Sequence, residues 1–281
     1  MSPIHDQSYR RYQGVREPLG RGWLVIMRAG IRAMLSRKAF VALQIIAWAP
    51  FVVRAVQMYF VTNYPQAASL VPVDARMFHS FIDQQSVFVF FVTIYAGAGL
   101  IANDRRANAL QIYLSKPLMR VEYIGGKLGV LLFYLLGVTL VPALLLLLLQ
   151  ILFSGSFTFI RENLFLIPAV TLASLVRVLV SAFTMLALSA LSKSSRYVAI
   201  LYAGAVFFSE ALFGVLRIIL GSTRVSWISI TASIEQVTDA IFRATPRYET
   251  PVLVSILVLA GIIALSISVI EHRVRGVEVV S

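Results

Sequence analysis

Six stretches of this chain are apolar for long enough to cross a lipid bilayer, and nothing else in the sequence constrains its fold as strongly. An α-helix rises about 1.5 Å per residue and a hydrocarbon core is about 30 Å thick, so roughly twenty apolar residues make one crossing. The windows fall at 39–61, 85–103, 128–153, 164–191, 197–220 and 250–270. Inside hydrocarbon no water satisfies the backbone, which leaves helices as the economical way to cross. The sequence therefore predicts an all-α integral membrane protein with six transmembrane helices.

Charge gives the orientation. The chain carries 25 Lys and Arg against 13 Asp and Glu, a formal net charge of +12. That excess could suggest nucleic acid, but the charges sit between the apolar blocks, where they set topology. With the N-terminus inside, the cytoplasmic segments 1–38, 104–127, 192–196 and 271–281 hold 17 Lys and Arg, and the external segments 62–84, 154–163 and 221–249 hold 5. Acidic residues divide 6 and 6, so only the positive charges are biased, as the positive-inside rule requires. The expectation is a multi-pass protein of the plasma (inner) membrane with both termini cytoplasmic. It divides into a cytoplasmic segment over 1–38, a transmembrane domain over 39–270 and a basic tail over 271–281. No nucleic-acid partner is expected. There is no cysteine, which excludes disulfides, thiol chemistry and Cys-based metal sites. The first twenty-two residues are mostly polar, so no cleaved signal is expected.

Two shorter amphipathic helices accompany the spans. In Arg21–Ser36, Arg21, Arg28 and Arg32 fall within about 40° of one another at 100° per residue, opposite Trp23, Met27, Ile31 and Met34. A basic stripe opposite an apolar face describes a helix lying in the inner membrane interface. Between the fifth and sixth windows, Ile230, Ile234, Val237 and Ile241 repeat at helical spacing. Thr231 or Ser233 could cap that external helix, with Glu235 in its first turn.

The loop between spans two and three is the informative motif. It runs Asp104-Arg-Arg-Ala-Asn-Ala-Leu-Gln-Ile-Tyr-Leu-Ser-Lys-Pro-Leu-Met-Arg-Val-Glu-Tyr-Ile-Gly-Gly-Lys127, after the small-residue stretch Tyr95-Ala-Gly-Ala-Gly-Leu-Ile-Ala. The residues describe a short cytoplasmic helix. Asp104 suits its N-terminal dipole, Leu110, Tyr113 and Leu114 form an apolar patch, and Pro117 ends it. Arg105, Arg106, Lys116, Arg120 and Lys127 can pair with an acidic partner or with lipid phosphates.

This pattern resembles the membrane subunit of an ABC-2 type (type-2 ABC exporter) permease. Asp104, Arg105, Arg106, Leu110, Lys116, Pro117, Arg120, Tyr123, Gly126 and Lys127 match the family pattern, and Asn108 stands where many members carry Gly. The tail Glu271-His-Arg-Val-Arg-Gly-Val-Glu-Val-Val is similar to the family's closing basic segment. The resemblance implies a permease, expected to export, working as a homo- or heterodimer of permease chains in lipid. It also implies that 104–127 is a coupling helix docking on a cytoplasmic ABC ATPase subunit through Asp104, Arg105, Arg106, Leu110, Leu114, Lys116, Pro117 and Arg120. The chain has no phosphate-cradling G-x-x-x-x-G-K-[ST] loop, so ATP would be bound and hydrolysed by that partner, and no cofactor of its own is expected. An autonomous secondary transporter, or a non-transporting anchor or assembly component, are the alternatives. The substrate is not legible.

Four ionisable residues fall inside the windows: Arg54, Arg177, Glu210 and Arg217. Such groups are costly in hydrocarbon unless paired or hydrated. Arg177 and Glu210 lie at matched depth on consecutive spans, which predicts an intramembrane pair, either structural or in the substrate path. Arg54 and Arg217 are expected to snorkel. The histidines, His5, His79 and His272, are too scattered for a metal or catalytic triad, and the window carboxylate is single, so no enzyme site is expected.

Overall fold

The computed structural model describes residues 21–64, 74–109, 118–154, 161 and 163–274. No strand occurs among them. Six helical segments are long and apolar enough to cross a membrane: Lys38–Asn63, Ala75–Arg106, Arg120–Phe153, Leu166–Leu191, Ser195–Leu220 and Val252–Arg273. The described residues are those of a helical, multi-pass membrane protein.

Before the first span lies α1 (Gly22–Leu35). Span one is built of α2 (Lys38–Ala47) and α3 (Ala49–Asn63), span two of α4 (Ala75–Gly97) and α5 (Ala102–Arg106), and span three of α6 (Arg120–Val138) and α7 (Leu140–Ser154). Spans four and five are the single helices α8 (Leu166–Leu191) and α9 (Ser195–Leu220). A short helix, α10 (Ile230–Ile241), precedes span six, α11 (Val252–Arg273).

Each interrupted span has a local cause. Pro50 and Pro142 lack the N–H that would reach back four residues, and their rings crowd the carbonyl there, so span one breaks at Trp48 and span three at Thr139. At the second break the Thr139 hydroxyl donates to the Leu135 carbonyl at 2.8 Å. Span two breaks over 98–101 for a tertiary reason. Ser189 of α8 accepts from the N–H groups of Ile101 and Ala102, both at 3.0 Å, and donates to the Ala98 carbonyl at 3.0 Å. One hydroxyl thus replaces the helical partners that the break removes.

Spans two, three and four form the centre, each with 56% of its apolar window buried, against 11%, 17% and 22% for spans one, five and six. Helix α1 lies across α6. A Cβ on Gly126 would stand 2.8 Å from the Trp23 carbonyl oxygen, so only glycine permits this approach. Tyr134 donates to the Ile31 carbonyl at 2.7 Å. The buried Glu122 carboxylate accepts from the Gly22 N–H at 3.2 Å and the Met119 N–H at 3.0 Å, capping α1 and α6 together. As the sequence periodicity requires, Met27, Ile31 and Met34 turn toward the core, while Arg21, Arg28 and Arg32 are exposed. Trp23, placed by that periodicity on the apolar side, is 40% exposed.

Two expectations need correction. Span two starts at Ala75 rather than near 85, because Asp74 caps it, accepting from the N–H groups of Arg76 at 3.0 Å and Met77 at 3.2 Å. His79 and Asp83 are therefore helical residues of span two, not loop residues, and Glu210 is not the single carboxylate within a span. Helix α10 is capped by Ser229, which accepts from the Ala232 N–H at 3.0 Å, rather than by Thr231 or Ser233, and Glu235 lies beyond its first turn. Seven of its residues are buried, with Ile234 and Val237 set against Val180 of span four and Leu259 of span six. Ser229 also donates to Glu210, which lies ten residues, about 15 Å by helical rise, from the Leu220 end of span five. The helix is sunk between spans rather than laid on top of them.

Candidate functional site

Two polar centres occupy opposite ends of the pair formed by spans two and four. At the end bearing the 104–127 loop, Asp104 lies in the first turn of α5. Its carboxylate binds the Lys127 ammonium at 2.7 Å and accepts from the Tyr123 hydroxyl at 2.8 Å. The Lys127 ammonium also lies 5.5 Å from the centre of the Tyr123 ring. These contacts join the two feet of the loop, since Asp104 leaves span two and Lys127 belongs to span three. Arg105 donates from Nη1 to the Ala190 carbonyl in the last turn of span four, where a cation suits the helix dipole. Beside this clamp is a cavity of about 510 Å³, bordered by Arg37, Tyr95, Asn103, Asp104, Lys127 and Arg196. Asn108 adopts φ of 52°, a left-handed conformation that glycine takes freely and asparagine tolerates.

The structure thus divides the expected loop residues. Asp104 and Arg105 are half-buried and bound within the bundle, whereas Arg106 and Arg120 are exposed. Arg105 is tethered to span four. Leu110, Leu114, Lys116 and Pro117 lie outside the described residues.

The far centre is built on Asp83 and Arg247. Arg177, 3% exposed, donates from Nη2 to Asp83 Oδ1 at 3.3 Å. Arg247, from the segment after α10, donates from Nη2 to Asp83 Oδ2. The same guanidinium binds Asp239 Oδ1 through Nε at 3.0 Å and Nη2 at 2.9 Å, and lies 3.5 Å from Glu235 Oε2. The Arg247 N–H donates to Asp239 Oδ2 at 3.1 Å. His79 Nε2 stands 2.9 Å from Asp239 Oδ1 and 3.1 Å from Arg247 Nη2. The Tyr248 hydroxyl donates to Glu235 at 2.7 Å. Three carboxylates and two guanidiniums therefore lock α10 to spans two and four.

Electrostatics outside the spans follow this geometry. Burial alone would push the Asp239 carboxyl upward, but hydrogen bonds from His79 and Arg247 and the Arg247 charge outweigh it, holding the group below the usual value. Burial would lower the Arg247 guanidinium, yet the neighbouring Asp83, Asp239 and Glu235 raise it. Burial and the nearby Glu235 and Glu210 charges push the Tyr248 phenol upward.

The expected Arg177–Glu210 pair does not form. Arg177 meets Asp83, and Glu210 accepts from Ser229 at the N-terminus of α10. Matched depth was satisfied, but the facing was not: α9 turns Glu210 outward, and Arg177 is buried against span two. Arg54 does not simply snorkel either, since it donates to Gln57 at 3.1 Å and to Ser80 of span two at 2.7 Å. Arg217 is exposed. Sequence reasoning missed Asp83, His79, Asp239, Arg247 and Ser189. The Asp74 cap, followed by His79 and Asp83 at i, i+4, was the available sign that span two begins early.

No protein-family model matches the chain, and no curated protein matches it either.

Proposed function

We propose that the chain is the membrane-spanning subunit of an ATP-driven ABC-2 type exporter, with two permease chains and two cytoplasmic ATPases forming the complex. The observation that carries this reading is the clamp at the feet of loop 104–127. A load on that loop reaches span three through Lys127 and Tyr123, and span four through Arg105 and Ser189. Spans two and four then lead directly to the far centre, where Asp83 and Arg177 hold α10 through Arg247. Asp83 and Asp104 stand on the two helices of span two, on either side of the break at 98–101. Spans two and four thus link a loop suited to a soluble motor with a helix suited to gating the opposite face. Both termini and the 104–127 loop are cytoplasmic in this reading, in the inner membrane, as the bias of basic residues requires.

Affinity purification in mild detergent should bring down a soluble ATPase. Docking of a small helix depends on a few apolar anchors, each worth about 2 kcal/mol or more. Leu110→Ala with Leu114→Ala should release the ATPase and leave the permease inserted; retention at unchanged affinity would refute the coupling role.

A second reading, an ion-driven transporter, draws on the gathering of Asp83, Glu235, Asp239 and His79 in one centre. Its carboxylates are bound to arginines, which favours a lock over an ion path. Transport in vesicles without ATP, lost in Asp83→Asn, would select this alternative.

A further inference from the structure

At the end bearing the 104–127 loop, spans three, four and six leave a groove of about 990 Å³ between them. Its depth is apolar, lined by Ile124, Leu128, Phe183, Ile267 and Ile270. Its mouth carries Arg120, the first residue of α6, together with Glu271 and His272 in the last turn of α11. Leu128 lies eight residues into α6, so the groove runs about 12 Å from the charged mouth toward the bilayer midplane. The mouth residues are exposed and stand where two spans end, at the level of lipid headgroups.

We propose that this groove holds a phospholipid whose head carries both a phosphate and an amine, with one acyl chain along Ile124, Leu128 and Phe183. The argument is charge complementarity over an apolar slot. Arg120 offers a planar donor fork suited to phosphate. Glu271, at the same mouth, repels a purely anionic head and accepts from an ammonium. A soluble ligand would leave the apolar depth unfilled, whereas an acyl chain covers it with groups of its own kind. The site is separate from the clamp and goes beyond the transport reading, which stands or falls without it.

Gly125 allows a clean test. It lines the groove, and a Cβ built on it meets nothing within 4 Å, so Gly125→Phe enters the slot from a position with room at its root. The full-length protein is reconstituted in vesicles of phosphatidylethanolamine and phosphatidylglycerol containing a phosphatidylethanolamine probe with a photoreactive acyl chain. Adducts are mapped by mass spectrometry. Labelling should concentrate on 124–128 and 267–271 and fall about tenfold in Gly125→Phe, equivalent to about 1.4 kcal/mol. Arg120→Gln should weaken it, and Glu271→Gln should let a phosphatidylglycerol probe compete. Ile218→Phe, on a face of span five that is 82% exposed, should change nothing. Unchanged melting temperatures show that the variants fold, and a misfolded Gly125→Phe leaves Arg120→Gln and Glu271→Gln to decide. Labelling spread evenly over all lipid-facing surfaces and insensitive to these changes would overturn the site. So would labelling that rises sharply when the chain is cut after Val274, because the tail would then be the natural occupant.

Discussion

Asp83 and Arg177 meet across the seam of spans two and four; removing Asp83 leaves the buried Arg177 charged and poorly solvated, whereas removing Arg177 leaves Asp83 paired with Arg247. A double-mutant cycle with Arg177→Leu and Asp83→Leu should therefore show a coupling of about 1–3 kcal/mol in detergent unfolding. The same cycle between Arg177→Leu and Glu210→Leu should be additive within about 0.5 kcal/mol. Coupling in the second cycle and none in the first would contradict the observed pairing. Asp239 supplies a second residue-scale test. Its carboxyl is held below the ordinary value in the folded protein, so its contribution is fully present above the unfolded value and is lost as pH falls through the folded one. Acidification below the ordinary carboxylate range should loosen α10 from span two. Comparing melting temperatures across that range with those of Asp239→Asn isolates the effect, since the variant should lack this part of the acid slope. Identical pH profiles would show that Asp239 holds nothing. Arg247 remains charged throughout, while His79, Asp83 and Glu235 share the cluster, so the part of the acid slope that Asp239→Asn removes is the part that belongs to Asp239.

At the scale of elements, what the sequence makes legible follows how strongly each signal depends on neighbours. Runs such as Leu140–Leu149 have one fate, so most crossings are readable to within about three residues, but span three starts at Arg120 rather than 128, inside the segment expected to be loop. The first ten residues of span two are not readable either, because His79, Asp83 and Gln84 lower the local apolarity, and the partners of His79 and Asp83 lie on other helices. Helix α10 is readable from its 3.6-residue period, but its burial is not, since that depends on the gap between spans four and six. The loop-foot residues Asp104 and Lys127 are conspicuous as charges, while their contact is a product of two helices converging. The packing of α1 on α6 has its own test. A Cβ on Gly129 would stand 3.7 Å from the Met27 Cβ, inside the disulfide range, and the protein has no native cysteine. Met27→Cys with Gly129→Cys should form a disulfide readily under mild oxidation. Adding Gly126→Leu should abolish it, because the new side chain collides with the Trp23 backbone; undiminished cross-linking would mean that α1 packs elsewhere.

For the whole molecule, the proposed orientation predicts which faces meet which compartment. Single cysteines at Asn108 and Ala240, both exposed, and at position 158 report on the two sides. In intact cells an impermeant thiol reagent should reach 158 and 240 and not 108; labelling at 108 would invert the scheme. The far centre also bears on how the protein is made. Asp83 and Arg177 are 94 residues apart in sequence, so at about 5–20 residues per second the carboxylate is synthesised roughly 5–20 s before its guanidinium. During that interval span two carries a charge for which the finished bundle has a partner and the nascent chain does not. Asp83 sits only eight residues from the Ala75 end of span two, so its charge is a modest cost rather than a bar to insertion. Span two gains its first arginine partner for that charge only when span four arrives, and a chain truncated between the two should hold span two less firmly than the complete one.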